Sequence, residues 1–525
     1  MFNRSEQHKL KNARDLVIKR LLEHRDFNVK FTGRLADSAV ATAVACLAMS
    51  IEEQDINRLR NGTSWLCRFI NNDGGWGDTV ESPSNLSAVL LSRAAIINSD
   101  IDTEETRKAL QLSSTWLEAR LGSVENATLI NQILAFYGKD MTFSVPILTV
   151  CMLGKVFGNS TELWQKIPSL PFEFSLIPTE LLNLVKLPVV SYAIPALIAV
   201  GIAQANYCPS KNTALNWLRH KSVKPALKKL TKLIPASGGF LEAIPLTGFV
   251  AFCLGRSGHN NHPAVKRGLP FLRATMRENG SWPIDTNLSS WLTSLGSAVL
   301  CEADILSSAE KIVAASYIKN VQSKTINSFN NSAPGGWSWT DLSGGVPDAD
   351  DTSAALVALA KLSDGQADES TKHGLKWLMN LMNSDGGIPT FCRGWGFLPF
   401  DRSCPDISAH CLTAFILWKN RVPVNLQQRI EQGISRILNY LRSARDDENL
   451  FTPLWFGDQD HPLQTNRVYG TSVVLEALSH CQGDEVPDIV DPAIRQLYLC
   501  QNSDGGFGGE QGARSKIETT AKAIN

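Results

Sequence analysis

Residues 374–389 read GLKWLMNLMNSDGGIP. Leu375, Leu378, Leu381 and Met382 fall at helical spacing and mark one apolar face. The Asn-x-Asp-Gly-Gly that follows predicts a helix ended by a left-handed cap and a tight turn. The pattern recurs in GTSWLCRFINNDGGWGDT from Gly62, GLPFLRATMRENGSWP from Gly268 and RQLYLCQNSDGGFGG from Arg495. An aromatic after the turn can fold back on the neighbouring helix. Repeats of two helices and a turn predict an α/α barrel, in which each pair leans on the next. One repeat in the first half and three in the second predict two unequal all-α domains. Other helical stretches, such as DSAVATAVACLAMSI and NLSAVLLSRAAII, follow N-cap residues, and strict alternation is rare.

The chain has 525 residues, too many for one ordinary core. Its 51 basic and 51 acidic side chains balance, which excludes long-range attraction of nucleic acid. The 11 cysteines lack CxxC pairs or zinc spacing, as in a reduced cytosolic protein. MFNRSEQHKLKNARDL is too charged for a signal peptide, and no uninterrupted apolar run reaches the ~20 residues of a spanning helix. LPVVSYAIPALIAVGIA, 187–203, is either a buried helix pair or a patch that dips into one leaflet. RHKSVKPALKKLTK, from Arg219, is expected to be a solvated connection between domains.

GGVPDADDTSAAL, residues 344–356, places Asp348, Asp350 and Asp351 within four positions of a helix start. Capping and the helix dipole account for one carboxylate, hardly for three. Two could hold Mg²⁺, but no DDxxD-type cluster accompanies them; RDDENL at Arg445 lacks the spacing. A third reading is a carboxylic acid kept protonated by its neighbours and aimed at an alkene, which requires a dry pocket.

The glycine–aromatic repeats resemble the QW motifs of squalene–hopene cyclases and related class II terpene cyclases, and PDADDT resembles their DxDDT acid motif. The stretches LINQILAFYGKDMTFSVPIL and LWQKIPSLPFEFSLIP extend the resemblance, which runs from about Leu16 to the C-terminus. The QW glutamine is read only at Gln501; Ile70, Met276 and Met382 occupy the other positions. The resemblance implies two α/α toroids in the βγ arrangement: a catalytic barrel from 1–29 plus 235–525, and an inserted barrel from 30–234. It implies Asp350 as the acid, Asp348 and Asp351 as its tuners, and His410 of PDISAHCL, four residues after Asp406, as its partner. Thr352 completes the motif as a local hydrogen-bonding partner at the pocket. Trp339, Phe391, Trp291 and Trp164 would line that pocket and stabilise cations through their π faces, at about 0.5–2 kcal/mol each.

No metal or cofactor is called for. The implied activity is an isomerase: protonation of a linear, squalene-like polyprene followed by carbocation polycyclisation to a triterpenoid of hopanoid type. The alternatives are a class II diterpene or meroterpenoid cyclase with a shorter prenyl substrate, and a non-catalytic toroid scaffold. A protein prenyltransferase subunit would need zinc ligands, and no such set is evident. The implied setting is cytoplasmic, peripheral or monotopic on the inner face of a membrane, with a homodimer possible. The final residues, SKIETTAKAIN, read as mid-helix, where the family continues with further helices and an aromatic-rich segment; a fragment of a longer frame is expected.

Overall fold

The computed structural model describes residues 4–525 except 27–28, 123–124, 159, 179–189, 395–397, 399–400, 462 and 482–485. The chain is mostly helical, as expected, and its helices divide into inner and outer ones. The inner helices are numbered here in chain order: α1 Ala39–Met49, α2 Leu86–Asn98, α3 Met141–Leu153, α4 Ile194–Tyr207 and α5 Ile244–Arg256, then α6 Ser289–Glu302, α7 Ala349–Leu362, α8 Pro405–Trp418, α9 Arg467–Leu478 and α10 Ile517–Ile524. In α1, AVATAVACLAM, ten of the eleven residues are buried. A helix apolar on every side must be enclosed by others. By contrast, the outer helix Ile56–Arg68 buries only Leu59, Gly62, Thr63, Trp65 and Leu66.

Helices α1 to α5 pack in sequence and α5 returns to α1, closing a ring; α6 to α10 pack in the same serial order. A two-stranded pairing, Asp37–Ser38 with Trp282–Pro283, ties the chain's entry into the first ring to its exit. Helix α5, the helix Pro263–Thr275 and Trp282 pack in the first core, and α6 packs in the second. Ile18, Leu21 and Leu22 pack on the second core. The expected solvated connection is overturned: RHKSVKPALKKLTK lies within the helix Thr213–Lys232, and Arg219 is buried against Glu173 at 3.3 Å.

The repeat turns supply the joints. Gly386 has φ +92°, and a Cβ there would lie 2.6 Å from the carbonyl oxygen of Arg436 on the next outer helix. Gly74, Gly238, Gly280 and Gly335 meet the backbone of a neighbouring outer helix in the same way. The aromatics after the turns reach the neighbouring outer helix, as the Trp282 ring does at Gly62 and the Trp337 ring at Gly374, while their indole N–H groups tie back to the helix that leads into their own turn. The indoles of Trp76, Trp282 and Trp337 donate to the carbonyls of Leu66, Leu272 and Ile318. A second QW glutamine also emerges. Gln322 donates to the carbonyl of Gly335 at 2.7 Å, as Gln501 does to Gly505 at 2.9 Å. Twelve residues separate Gln322 from Gly335, which hid this repeat in the sequence.

Within 187–203, residues 187–189 lie outside the described residues. From Val190 through Ala203 the stretch that forms α4 lies in the first core. That part is a buried helix rather than an apolar patch facing a bilayer. Among the described residues no helix is long and apolar enough to cross a membrane.

Candidate active site

Asp348 is the N-cap of α7. Its Oδ1 accepts the amide N–H of Asp351 at 2.8 Å, while its own amide donates to the carbonyl of Trp337 at 3.0 Å. Cap and repeat turn therefore share one backbone joint. Helix α7 can pack tightly there because its first turns are small and, apart from Asp350, buried from Ala349 through Ala355.

Burial sets the electrostatics of the triplet. Desolvation pushes the Asp348 carboxyl up to about 7, against the hydrogen bonds from Asp351 and with help from the charge of Asp350. Asp351 is pushed well above the usual carboxylate range by desolvation, then by the charge of Asp348. Two carboxyls this close and this dry hold a proton between them. Asp350 differs. Its side chain is 19% exposed, and its Oδ1 lies 2.6 Å from Nδ1 of His410, itself 20% exposed. It is thus the member of the triplet that a ligand can reach.

His410 is on α8, directly beside α7. One turn earlier, Asp406 is buried and accepts the thiol of Cys404 on Oδ1 at 2.7 Å. Desolvation first, and the charge of Asp350 among lesser causes, push Asp406 up to about 6. The indole of Trp291, on α6, stands edge-on to the His410 ring at 6.2 Å. Trp339 lies 6.0 Å from Phe391, which stacks on Trp455 at 5.5 Å and meets Tyr192 edge-on at 4.9 Å. Phe391 and Trp339 come from the second ring's loops but pack with the first core. The acid and the aromatics therefore meet where the two cores join.

Trp291 meets His410 directly, while Trp339 and Phe391 are tied to the same place through the backbone: the amide of Ala349, next to Asp350, donates to the carbonyl of Phe391 at 2.9 Å, and that of Trp291 to the carbonyl of Trp339 at 3.2 Å. Trp164 does not join them; it is in the first core and stacks on the exposed ring of Tyr207 at 5.7 Å. Thr352 is fully buried rather than at a pocket wall, and its Oγ1 accepts the amide of Trp337 at 2.9 Å. Tyr192 and Trp455 were not legible as site residues, because each reaches Phe391 from a distant segment. Among the described residues no group of three or more His, Cys, Asp or Glu could hold a metal ion.

The raised carboxyl of Asp348 has a stability consequence. On unfolding it returns to about its ordinary 3.8, so the unfolded chain loses this proton at lower pH than the folded one. Its contribution to folding is complete below 3.8 and is lost as pH rises through about 7. Asp348→Asn should therefore gain in melting temperature relative to wild type as pH rises across this window. A difference that stays flat with pH would sink this assignment.

Comparison with known proteins adds independent findings. Residues 288–523 match the family model "Squalene-hopene cyclase C-terminal domain". A terpene cyclase–glycosyl transferase fusion protein, fsoA of Humicola fuscoatra, is 29% identical over 312 residues, 52% of this chain and 22% of its own length. A Sinorhizobium fredii protein named "Probable squalene--hopene cyclase" is 22% identical over 506 residues, 85% of this chain and 74% of its own. The chain thus spans less than a quarter of the fusion protein and about three quarters of the bacterial relative. Among solved structures, the ent-copalyl diphosphate synthase of Streptomyces platensis superposes with a TM-score of 0.57 at 16% identity, over 98% of this chain and 87% of its own. The abietadiene synthase of Abies grandis gives 0.52 at 16% identity, over 98% and 58%. These two likenesses bear on the fold alone, an α/α toroid.

Proposed function

We propose that the chain is a class II terpene cyclase of squalene–hopene type, in keeping with the match of residues 288–523 to that family's C-terminal domain, and that it closes rings in a linear, squalene-like polyprene by proton-initiated cyclisation. The observation that carries this reading is the pair of Asp350 and His410 at 2.6 Å, with Trp291, Trp339 and Phe391 around it. Asp350 gives its proton to a terminal alkene, whose π electrons form the new C–H bond and leave a tertiary cation. An Nδ1–H on His410 then donates to the carboxylate left behind, so the conjugate base is stabilised as it forms. Each further alkene attacks the cation to close a ring. The indole and phenyl faces stabilise the moving charge without offering it a basic lone pair.

Incubation of the purified chain with squalene and, separately, with geranylgeranyl diphosphate tests the substrate class. Cyclic products from squalene are expected; conversion of the diphosphate alone would overturn the polyprene reading in favour of a diterpene cyclase. His410→Gln should lower turnover by about 10–100-fold, because the acid loses its ionic-capable partner but keeps its own proton. Unchanged turnover would remove His410 from the chemistry. We place the enzyme at the inner face of a membrane, peripheral or monotopic, because an insoluble polyprene is stored there. Flotation with phospholipid vesicles tests that placement.

A further inference from the structure

The basic helix Thr213–Lys232 is only half explained by the first core. Its 20 residues carry six lysine and arginine side chains and no aspartate or glutamate. Those that point inward are satisfied. Arg219 pairs with Glu173 at 3.3 Å, and Lys229 donates to the carbonyl of Ser175 at 2.5 Å. Ala226 and Leu230, both fully buried, fix the same side of the helix to the first core. Lys221, Lys224, Lys228 and Lys232 are different. All four are exposed, and among the described residues none of them has an ion pair or a hydrogen bond.

These four lysines continue a line begun by Trp217. Steps of four, three, four and four residues, from 217 to 232, keep successive side chains on one face of the helix. At 1.5 Å per residue the line is about 22 Å long. At its start Trp217 is 64% exposed and Leu218 43%. Like charges at these spacings repel and destabilise a helix, and no acidic side chain on this one offsets them. Lys229 and Lys232, in the last turn, suit the helix dipole; Lys221 and Lys224 lie too far from the end to gain from it. A local rule broken in this way marks a surface kept for contact with something negative.

The chain as a whole balances 51 basic against 51 acidic side chains, so the attraction belongs to this face and not to the molecule. The outward cations are all lysines, point charges suited to a diffuse anionic surface. The helix's one arginine, the side chain type that grips a single phosphate in a fork, is turned inward to Glu173. Exposed tryptophan and leucine beside lysines match an interfacial helix, whose apolar side chains enter the headgroup layer while its amines meet the lipid phosphates. Residues 190–203, the apolar alternative, lie in the first core. We propose that this face docks the protein on an anionic bilayer, with Lys221, Lys224, Lys228 and Lys232 over the headgroups and Trp217 and Leu218 among them. The inference deepens the membrane placement above by giving it a surface and a lipid chemistry, and it rests on that reading.

The test is flotation with vesicles of phosphatidylcholine alone and of phosphatidylcholine with about 30 mol% phosphatidylserine. Wild type should partition at least about tenfold better to the anionic vesicles, and about 0.5 M salt should remove the difference. The variant Lys221→Gln/Lys224→Gln/Lys228→Gln/Lys232→Gln should bind anionic vesicles no better than neutral ones. The same change at four dispersed exposed lysines, Lys108, Lys166, Lys324 and Lys376, should leave most of the binding. Trp217→Ser should weaken binding to both vesicle types. Equal binding of wild type to the two vesicle types, or a stripe variant that floats like wild type, would overturn the proposal. Retention of wild type on RNA or polyglutamate without flotation would overturn it in favour of a soluble polyanion. Squalene turnover in neutral detergent separates docking from chemistry. The stripe variant should keep the wild-type rate there; a slower rate would assign the lysines to the fold and remove their docking role. A wild type idle on squalene would defeat the cyclase reading, and flotation would still decide the docking face.

Discussion

Asp350→Asn is expected to abolish ring closure, with turnover falling by at least about 10³-fold and the fold unchanged. The substitution keeps the size of the side chain and an oxygen for Nδ1 of His410, 2.6 Å away in wild type, but an amide cannot release a proton to an alkene. Its structural cost is small because the N-cap of α7 is the side chain of Asp348, which accepts the amide of Asp351, and not that of Asp350. Circular dichroism and melting temperature check the fold, and squalene consumption checks the chemistry. Turnover within tenfold of wild type would remove Asp350 as the acid. The companion Asp351→Asn separates acid from tuner. Asp351 is buried and faces Asp348, so its loss should reduce the rate by a smaller factor and alter the pH dependence.

The second large effect is one of stability. Trp337→Ala should cost about 3–5 kcal/mol, the range for truncating a large buried aromatic. Trp337 is 1% exposed, its indole donates to the carbonyl of Ile318 at 2.6 Å, and its ring lies over Gly374, where a Cβ would come within 2.5 Å of it. The variant leaves a cavity and an unpaired carbonyl. Its backbone also holds the acid motif, through the amides of Asp348 and Trp337. Activity should therefore fall together with the urea midpoint. A loss of less than about 1 kcal/mol would mean that the repeat turn is not the joint described above.

Much of this was legible in local pattern. Gly74, Gly280, Gly386 and Gly505 all adopt positive φ, as Asn-x-Asp-Gly and its Glu-Asn-Gly variant demand. Local rules suffice there because a left-handed turn is decided by the residues within it. Three carboxylates in four positions likewise announced an electrostatic device before any contact was known. His410 was reachable only through the resemblance, since a lone histidine on an apolar helix carries no signal of its partner.

What failed had a common cause. Arg219 read as solvent-facing because its neighbours are basic, yet Glu173, 46 positions away, holds it inside. Residues 190–203 read equally as core or membrane patch, because both environments select the same side chains; only the packing of α4 on α5 decides. Gln322 was hidden by the length of its loop, and Thr352 was assigned to the pocket when its hydroxyl serves the Trp337 turn.

By itself the sequence determined that the chain is helical, that glycine turns join its units in series, and that an acid motif opens one helix. Periodicity, turn chemistry and charge spacing act over fewer than about 20 residues, and these features need no more. Only the tertiary structure decided which helices close each ring and which aromatics share a wall with Asp350. Those outcomes depend on contacts between segments hundreds of positions apart, and on desolvation that exists only once both cores have closed around the charges.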